Sequence, residues 1–412
     1  MLAISTATLG TLRALTMAIA FGVVSLSYYV LSATDFALFN LLAFFLALGS
    51  SVSGPLNRAF WARDSLQNFG PASVSAAGIT GLVVIVGLLL TGGAGPFRVV
   101  LAVAGGAYAI AKILERYGYG RLLVAQQSAR AILPSIVFAG SEAAVVAGMW
   151  VASSRSLLLR VVLPTLLFFV TLALTSLRTI LVQFWRAAKA PGASIAFARE
   201  HLISRMGARV LALGALATLA GMGERLLIRY MPLGNAKFSA AYLLVLSYSV
   251  AFQTLMSFLF DLARTNVFRD RSWQPQARRF TVLSVAVLAG IIGAAILAYP
   301  ILTRLKLIPT EISQLLWAGL LMRSTALMLV LSFNVDRFQE GDLRHLALPN
   351  AIILAAAAAS FYLLHHGSPQ RASALILIIV CVGTTAFMGL GFFRRVGLPY
   401  GADPYRAAGD PN

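Results

Sequence analysis

Twelve apolar runs, each close to the length of a membrane-crossing helix and separated by short polar segments, follow one another along this 412-residue chain. A bilayer core of roughly 30 Å takes about 20 apolar residues to cross as a helix. Helices satisfy every backbone N–H and C=O internally, whereas open strands in lipid do not. The runs are too long, and too free of alternation, to be barrel strands. They fall at Ala14–Ser32, Phe36–Leu56, Ala72–Leu90, Phe97–Leu114, Ala131–Val151 and Val161–Leu177, then at Val210–Met231, Phe238–Phe260, Val282–Leu302, Ile312–Phe333, Leu346–Leu364 and Ala374–Phe393. The first run is long for a secretory leader and no small-residue cleavage site follows it, so it reads as a retained helix. The expected fold is therefore an all-α integral membrane protein.

Charge supports this reading. Only 11% of residues are charged, and the net charge of +19 is scattered between apolar runs rather than gathered in a soluble domain. That argues against nucleic acid as a partner. With the chain threaded through twelve spans, 23 basic residues fall on the side of the N-terminus and 9 on the other, with Arg323 inside a span. The positive-inside rule then places both termini in the cytoplasm.

The longest internal polar segment divides the chain into an N-lobe of six spans (1–184), a cytoplasmic linker (185–208), a C-lobe of six spans (209–393) and a cytoplasmic tail (394–412). Phe197–Met206 reads either as an amphipathic helix on the cytoplasmic face or as a plain basic connection. The halves are weakly alike. A short outer turn at Ala33–Asp35 precedes DFALFNLLAFFLALGSS, and PLGNAKFSAAYLLVLSYSVAFQ takes the matching place, with Phe36 against Phe238 and Leu41-Leu42 against Leu243-Leu244. Repeated halves are a transporter signature, with the substrate held between them near the midplane.

Enzyme chemistry finds no foothold. There is no Walker A sequence, and neither HExxH nor a GxSxG elbow occurs. No outer loop is long enough for a catalytic domain. The single Cys381 excludes an internal disulfide, and His201, His345, His365 and His366 are too scattered for a metal site. Neither a metal nor a cofactor is expected.

What remains is polarity inside the membrane, where each charge costs about 2.5–3.5 kcal/mol on insertion scales and needs a partner or water. Ser50, Gly54, Asn57 and Arg58 share one face of the second span, and Pro55 should kink it. Ser249, Gln253, Ser257, Asp261 and Arg264 draw a polar stripe along the eighth. Either these faces line a cavity, or serines bond back to the backbone while Arg58, and an Asp261–Arg264 pair, settle at the rim. In the seventh span Gly207, Gly214 and Gly221 allow close helix approach. Glu224 and Arg225 follow; Glu224 is a candidate proton carrier, and Arg225 an interface anchor or a pairing partner. Deep Arg323 and central Glu142 either pair with each other or act separately, Arg323 on an anion and Glu142 as a titrating group. Arg13 opens the first span, where a positive-inside marker is its simplest role. Tyr28, Tyr29, Trp61, Trp185, Tyr230 and Trp273 sit near span ends as interface anchors.

The segments TLRALTMAIAFGVVSLSYYVLSATDFALFNLLAFFLALGSSVSGPLNRAFWAR and GERLLIRYMPLGNAKFSAAYLLVLSYS, with the 6+6 layout and basic central linker, resemble the O-antigen flippase-like branch of the MOP (MATE-like) exporter superfamily. The first outer turn lacks that branch's usual Tyr-Gly. The basic inner-loop motif of major-facilitator proteins is absent between Arg58 and Gly70. The resemblance implies two pseudo-symmetric bundles around a cationic cavity, and translocation of a polyprenyl-diphosphate-linked oligosaccharide. It also implies phosphate contacts from Arg13, Arg58 and Arg264, and glycan polymerase machinery as a partner. A cation-coupled drug or metabolite antiporter of the same fold is the alternative; it would favour carboxylates such as Glu142, Glu224 and Asp261 over the arginines.

Overall fold

The structure is a computed structural model, and it describes residues 6–62, 67–91, 95–124, 128–250, 286, 289–332 and 344–396. Among them every regular element is a helix. The N-lobe comprises α1 (Thr6–Val30), α2 (Ala33–Val52), α3 (Gly54–Ala62), α4 (Phe69–Thr91), α5 (Pro96–Val124), α6 (Ser128–Ala131), α7 (Leu133–Val151) and α8 (Leu157–Leu174). Two linker helices follow, α9 (Arg178–Lys189) and α10 (Pro191–Leu202). The C-lobe holds α11 (Arg205–Met222), α12 (Glu224–Tyr230), α13 (Ala236–Val250), α14 (289–297), α15 (Tyr299–Arg304), α16 (Gln314–Ser332), α17 (Arg344–His365) and α18 (Gln370–Val396).

Each expected span has a helix within it. Among the described residues seven helices are long and apolar enough to cross a membrane. The shorter apolar segments Ala18–Val30, Ala236–Val250 and Gln314–Val330 belong to the same set of runs. The lipid and protein faces separate cleanly on α4. Leu82, Val86 and Leu90, four residues apart, are exposed, while Ala76, Ala77, Val84 and Leu88 are buried. A Cβ at Gly49 of α2 would come within 2.8 Å of the Thr80 backbone on α4, so the missing side chain is what lets these two helices meet.

Polar side chains set where helices begin and end. Ser32, Ser156 and Ser204 cap α2, α8 and α11 through backbone N–H groups of Asp35, Leu159 and Gly207. The expected turn at Ala33–Asp35 is instead the first turn of α2, because Ser32 takes the capping role and Asp35 lies where the helix dipole favours an acid. Gly367, at φ +73°, ends α17 with Gly367 N–H on Leu364 O and Ser368 N–H on Leu363 O, a pairing that satisfies the last carbonyls. The second span breaks at Ser53, two residues before Pro55, where the missing N–H interrupts the helix.

Between the lobes α10 meets α11 at 82°, so the linker helix lies across the direction of the spans. It packs on α4 and α3 of the N-lobe, with Ser75 Oγ donating to Ser194 O at 2.7 Å. This helix covers most of the expected Phe197–Met206 segment, with Phe197 buried and Arg199 and Glu200 exposed.

Candidate functional site

The lobes meet along two seams. On one, α1 faces α13. Phe21, Ser25 and Tyr29 recur every fourth residue on one face of α1. The Phe21 ring stacks on Tyr248 at 3.8 Å and 11°, Ser25 and Tyr248 hydroxyls lie 2.6 Å apart, and Tyr248 Oη donates to Leu307 O at 2.8 Å. Tyr29 donates to the carbonyl of Lys306, a residue held at φ +57°. Tyr29, expected as an interface anchor, therefore bridges the lobes. On the other seam α2 and α3 pack on α11 and α12. Ser51 and Thr218 hydroxyls lie 2.6 Å apart. A Cβ at Gly214 would stand 3.2 Å from Ser51, the close approach expected of the seventh span's glycines.

Two clusters of buried charge flank these seams. In the N-lobe, Glu142 of α7 accepts from Arg160 Nη2 at 3.0 Å and from Tyr108 Oη at 2.8 Å. Lys112 lies 3.5 Å away. Arg160 Nε donates to Ser27 Oγ of α1 at 3.0 Å, and its guanidinium lies 4.5 Å from the Phe39 ring centre. Lys112 also faces Glu115 at 4.0 Å, whose carboxylate accepts from Ser135. Four helices are thus tied together by one set of charges, and the two cations and two carboxylates balance.

Arg160 and Lys112 are the residues that sequence reasoning missed. The count of basic residues takes Arg160 as outer and Lys112, at the end of the Phe97–Leu114 run, as inner. In the structure α8 starts at Leu157, so Arg160 sits in its first turn at 1% exposure, its long stem reaching to Glu142. Helix α5 runs on past the expected end at Leu114 to Val124 because Lys112 and Glu115 have partners within the bundle and Arg116 Nη1 donates to Ser50 Oγ at 2.8 Å. The signal was the spacing: Tyr108, Lys112 and Glu115 share one helical face.

In the C-lobe, Arg323 of α16 is wholly buried and pairs with Glu224 of α12, so the expected alternative of an Arg323–Glu142 pair is wrong. Each acid finds its arginine within its own lobe: Glu142 takes Arg160, and Arg323 also reaches Gly221 O at 3.3 Å. Tyr242 Oη donates to Glu224 at 3.1 Å. Arg225, beside Glu224, donates from Nη2 to Ser247 Oγ at 3.1 Å, and Ser247 donates in turn to Asn40 Oδ1 of α2 at 2.8 Å. The chain Arg225–Ser247–Asn40 therefore crosses from the C-lobe to the N-lobe. Among the described residues this cluster holds two guanidinium groups and one carboxylate, and the carboxylate pairs with Arg323.

The other sequence-based candidates are distributed unevenly. Ser50 and Asn57 lie on the broken second span, with Ser50 held by Arg116. Arg13 and Arg58 belong to α1 and α3, and their side chains lie outside the described residues, as do Gln253, Ser257, Asp261 and Arg264 altogether. Ser249, which starts the polar stripe, is fully buried and bonds back to Leu246 O at 2.8 Å. Among the described residues no group of His, Cys, Asp and Glu is placed to hold a metal ion.

No protein-family model matches the chain, and no curated protein does. Solved structures do. A MATE transporter in its straight conformation superposes with a TM-score of 0.59 at 14% identity, over 94% of each chain. An outward-facing multidrug resistance MATE family transporter of the MOP superfamily gives 0.55 at 13% identity, covering 94% of this chain and 93% of that one. The eukaryotic MATE transporter AtDTX14 gives 0.52 at 15% identity over 94% and 95%. With its helices, its two lobes and its near-complete coverage of these chains, the protein has the fold of the MATE transporters of the MOP superfamily.

Proposed function

We propose that this multi-pass membrane protein is a transporter working by alternating access, and that its cargo is a polyprenyl-diphosphate-linked oligosaccharide. It moves this cargo from the inner to the outer leaflet of a bacterial inner membrane, with both termini in the cytoplasm, for surface polysaccharide synthesis. The observation that carries the reading is the balance of buried charge. Glu142 and Glu224, the acids a carrier of organic cations would use, are both held by arginines. Among the described residues, the buried C-lobe cluster keeps one guanidinium more than it has carboxylates to match. Such a site suits an anion, and guanidinium forks suit phosphate oxygens. The lipid tail stays in the bilayer while the headgroup passes between the lobes. For a headgroup of about −2 charge, an inside-negative potential supplies roughly 4–5 kcal/mol per 100 mV toward the outside, enough to set direction.

On this reading Arg13, Asn57, Arg58, Gln253, Ser257 and Arg264 contact the headgroup, together with Arg323 when it is released from Glu224. Asp261, and Glu224 once Arg323 leaves it, are the groups left for ion coupling, while Glu142 stays closed within its own cluster. In cells, Arg58→Ala and Arg264→Ala are each expected to abolish surface-glycan export at unchanged protein level, and Arg58→Lys to keep part of it. Normal export in both alanine variants would remove these arginines from the mechanism.

One observation favours a second reading, a cation-coupled drug or metabolite antiporter. The solved structures that share the fold include a multidrug resistance MATE transporter. Loss of organic-cation efflux with intact glycan export on deletion of the protein would select it.

A further inference from the structure

We infer that Arg225 is the seat of one phosphoryl-type anion at the interface between the lobes, opened when α12 and α13 part from α2. This rests on the anionic-cargo reading and names a contact for it in the C-lobe that the sequence did not single out as a ligand.

Arg225 is 4% exposed, in the short helix that restarts after the break at Gly223. A guanidinium offers five N–H donors. Here Nη2 has Ser247 Oγ at 3.1 Å, while Nε is buried with no acceptor. Among the described residues no carboxylate lies within ion-pair distance of it: neighbouring Glu224 is engaged by Arg323 and Tyr242. Burying an uncompensated charge costs several kcal/mol, and a charge kept inside a membrane at that cost marks a ligand path by default.

The surroundings select the ligand's sign. The Ser247 proton is directed to Asn40 Oδ1 or to Leu243 O, each at 2.8 Å, so the hydroxyl presents only oxygen to the guanidinium. Asn40 Nδ2 is already spent on Phe36 O at 3.0 Å. Arg323 and Glu224 beside it cancel as a pair, so among the described residues the uncompensated charge of this cluster is that of Arg225, and a neutral serine oxygen is a weaker acceptor for guanidinium than a phosphate oxygen. Among the described residues, the hydrogen bond between Ser247 and Asn40 ties this group to the N-lobe. Movement of α2 away from α13 breaks it and uncovers the free donor edge, so that the site becomes accessible as the lobes separate.

The test is thermal stabilisation of the detergent-solubilised full chain by two probes, inorganic pyrophosphate and farnesyl diphosphate. Both are expected to raise the melting temperature of the wild type and of Arg178→Gln, an exposed linker variant. Arg225→Gln is expected to weaken the apparent affinity at least tenfold, and Arg225→Lys, which keeps the charge without the fork, by less. Asn40→Leu is expected to retain binding, since Asn40 donates nothing to the anion; with Arg225→Lys it also separates a binding loss from a folding defect. A stronger response to farnesyl diphosphate assigns the anion to a lipid, and a stronger response to pyrophosphate to a free ion. Equal stabilisation of wild type and Arg225→Gln by both probes would overturn the seat. Pyrophosphate binding through Arg225 without translocation of a lipid diphosphate would keep the seat and remove the lipid-linked cargo.

Discussion

The two lobes bury charge in different ways. In the N-lobe, Lys112 and Arg160 face Glu115 and Glu142, and the set closes on itself across α1, α5, α7 and α8. In the C-lobe, Glu224 pairs with Arg323 alone, and the guanidinium of Arg225 reaches toward the other lobe through Ser247 and Asn40. A balanced, closed cluster fixes the packing of a bundle. An unbalanced one, set on a seam that must open, has charge left for a ligand. A buried arginine is informative only once its partners are counted. Arg160 and Arg225 are about equally hidden, yet the first is bound to a carboxylate while the second has, among the described residues, only a neutral oxygen.

The largest effect should come from stranding an acid. Arg323→Ala leaves Glu224 buried with Tyr242 alone and should cost about 3–5 kcal/mol, read as a fall in melting temperature. Arg160→Ala should cost less, because Lys112 remains beside Glu142. An equal loss in both would erase the distinction between the clusters. The paired replacement Glu142→Gln with Arg160→Met removes both partners at once. It should bring stability to within about 1.5 kcal/mol of the wild type and leave transport per folded molecule intact. Loss of transport in a stable double variant would make the N-lobe cluster part of the mechanism.

The seams supply smaller effects. Gly214→Leu drives a side chain toward Ser51 and should destabilise by about 1–3 kcal/mol through overpacking. Tyr248→Phe loses the hydroxyl shared with Ser25 and Leu307 O, about 1–2 kcal/mol in all. Either variant at wild-type stability would show that its seam contributes nothing to the closed form.

The smallest effect lies outside the spans. Glu311, in the segment before α16, is held below the usual carboxylate range first by its hydrogen bond with Lys237, against the opposing effect of burial. A carboxylate lowered in the folded state stabilises above its ordinary value, and that contribution disappears as pH falls through the lowered one. Lys237 is 74% exposed, so the pair is worth about 0–1 kcal/mol. Between pH 7 and pH 3 the wild type should lose slightly more stability than Glu311→Gln. Identical pH profiles would show the pair to be inert.

Much of the architecture was legible in the sequence, because lipid imposes a simple code. A run such as Ala72–Leu90 has to be a helix of one length, and the break before Pro55 follows from a missing N–H. The pairing of charges was less legible. Hydropathy places Arg160 at the edge of an apolar run and assigns it to water, since a window cannot see that the stem reaches back to an acid one helix away. Glu142 and Arg323 stood out as buried charges, yet nothing along the chain says which helices become neighbours. Arg225 looked like an anchor near a helix end. Only the packing of α12 against α2 and α13 turns it inward. The Tyr29 contact was hidden for the same reason, its partner being a carbonyl 277 residues away.

The account stands or falls on whether this fold moves an anion. Purified protein in liposomes loaded with a fluorescent polyprenyl-diphosphate glycolipid should translocate the headgroup between leaflets, faster under a potential negative on the side of the termini. It should move no organic cation in exchange for protons or sodium. Cation exchange with a stationary glycolipid would contradict the account.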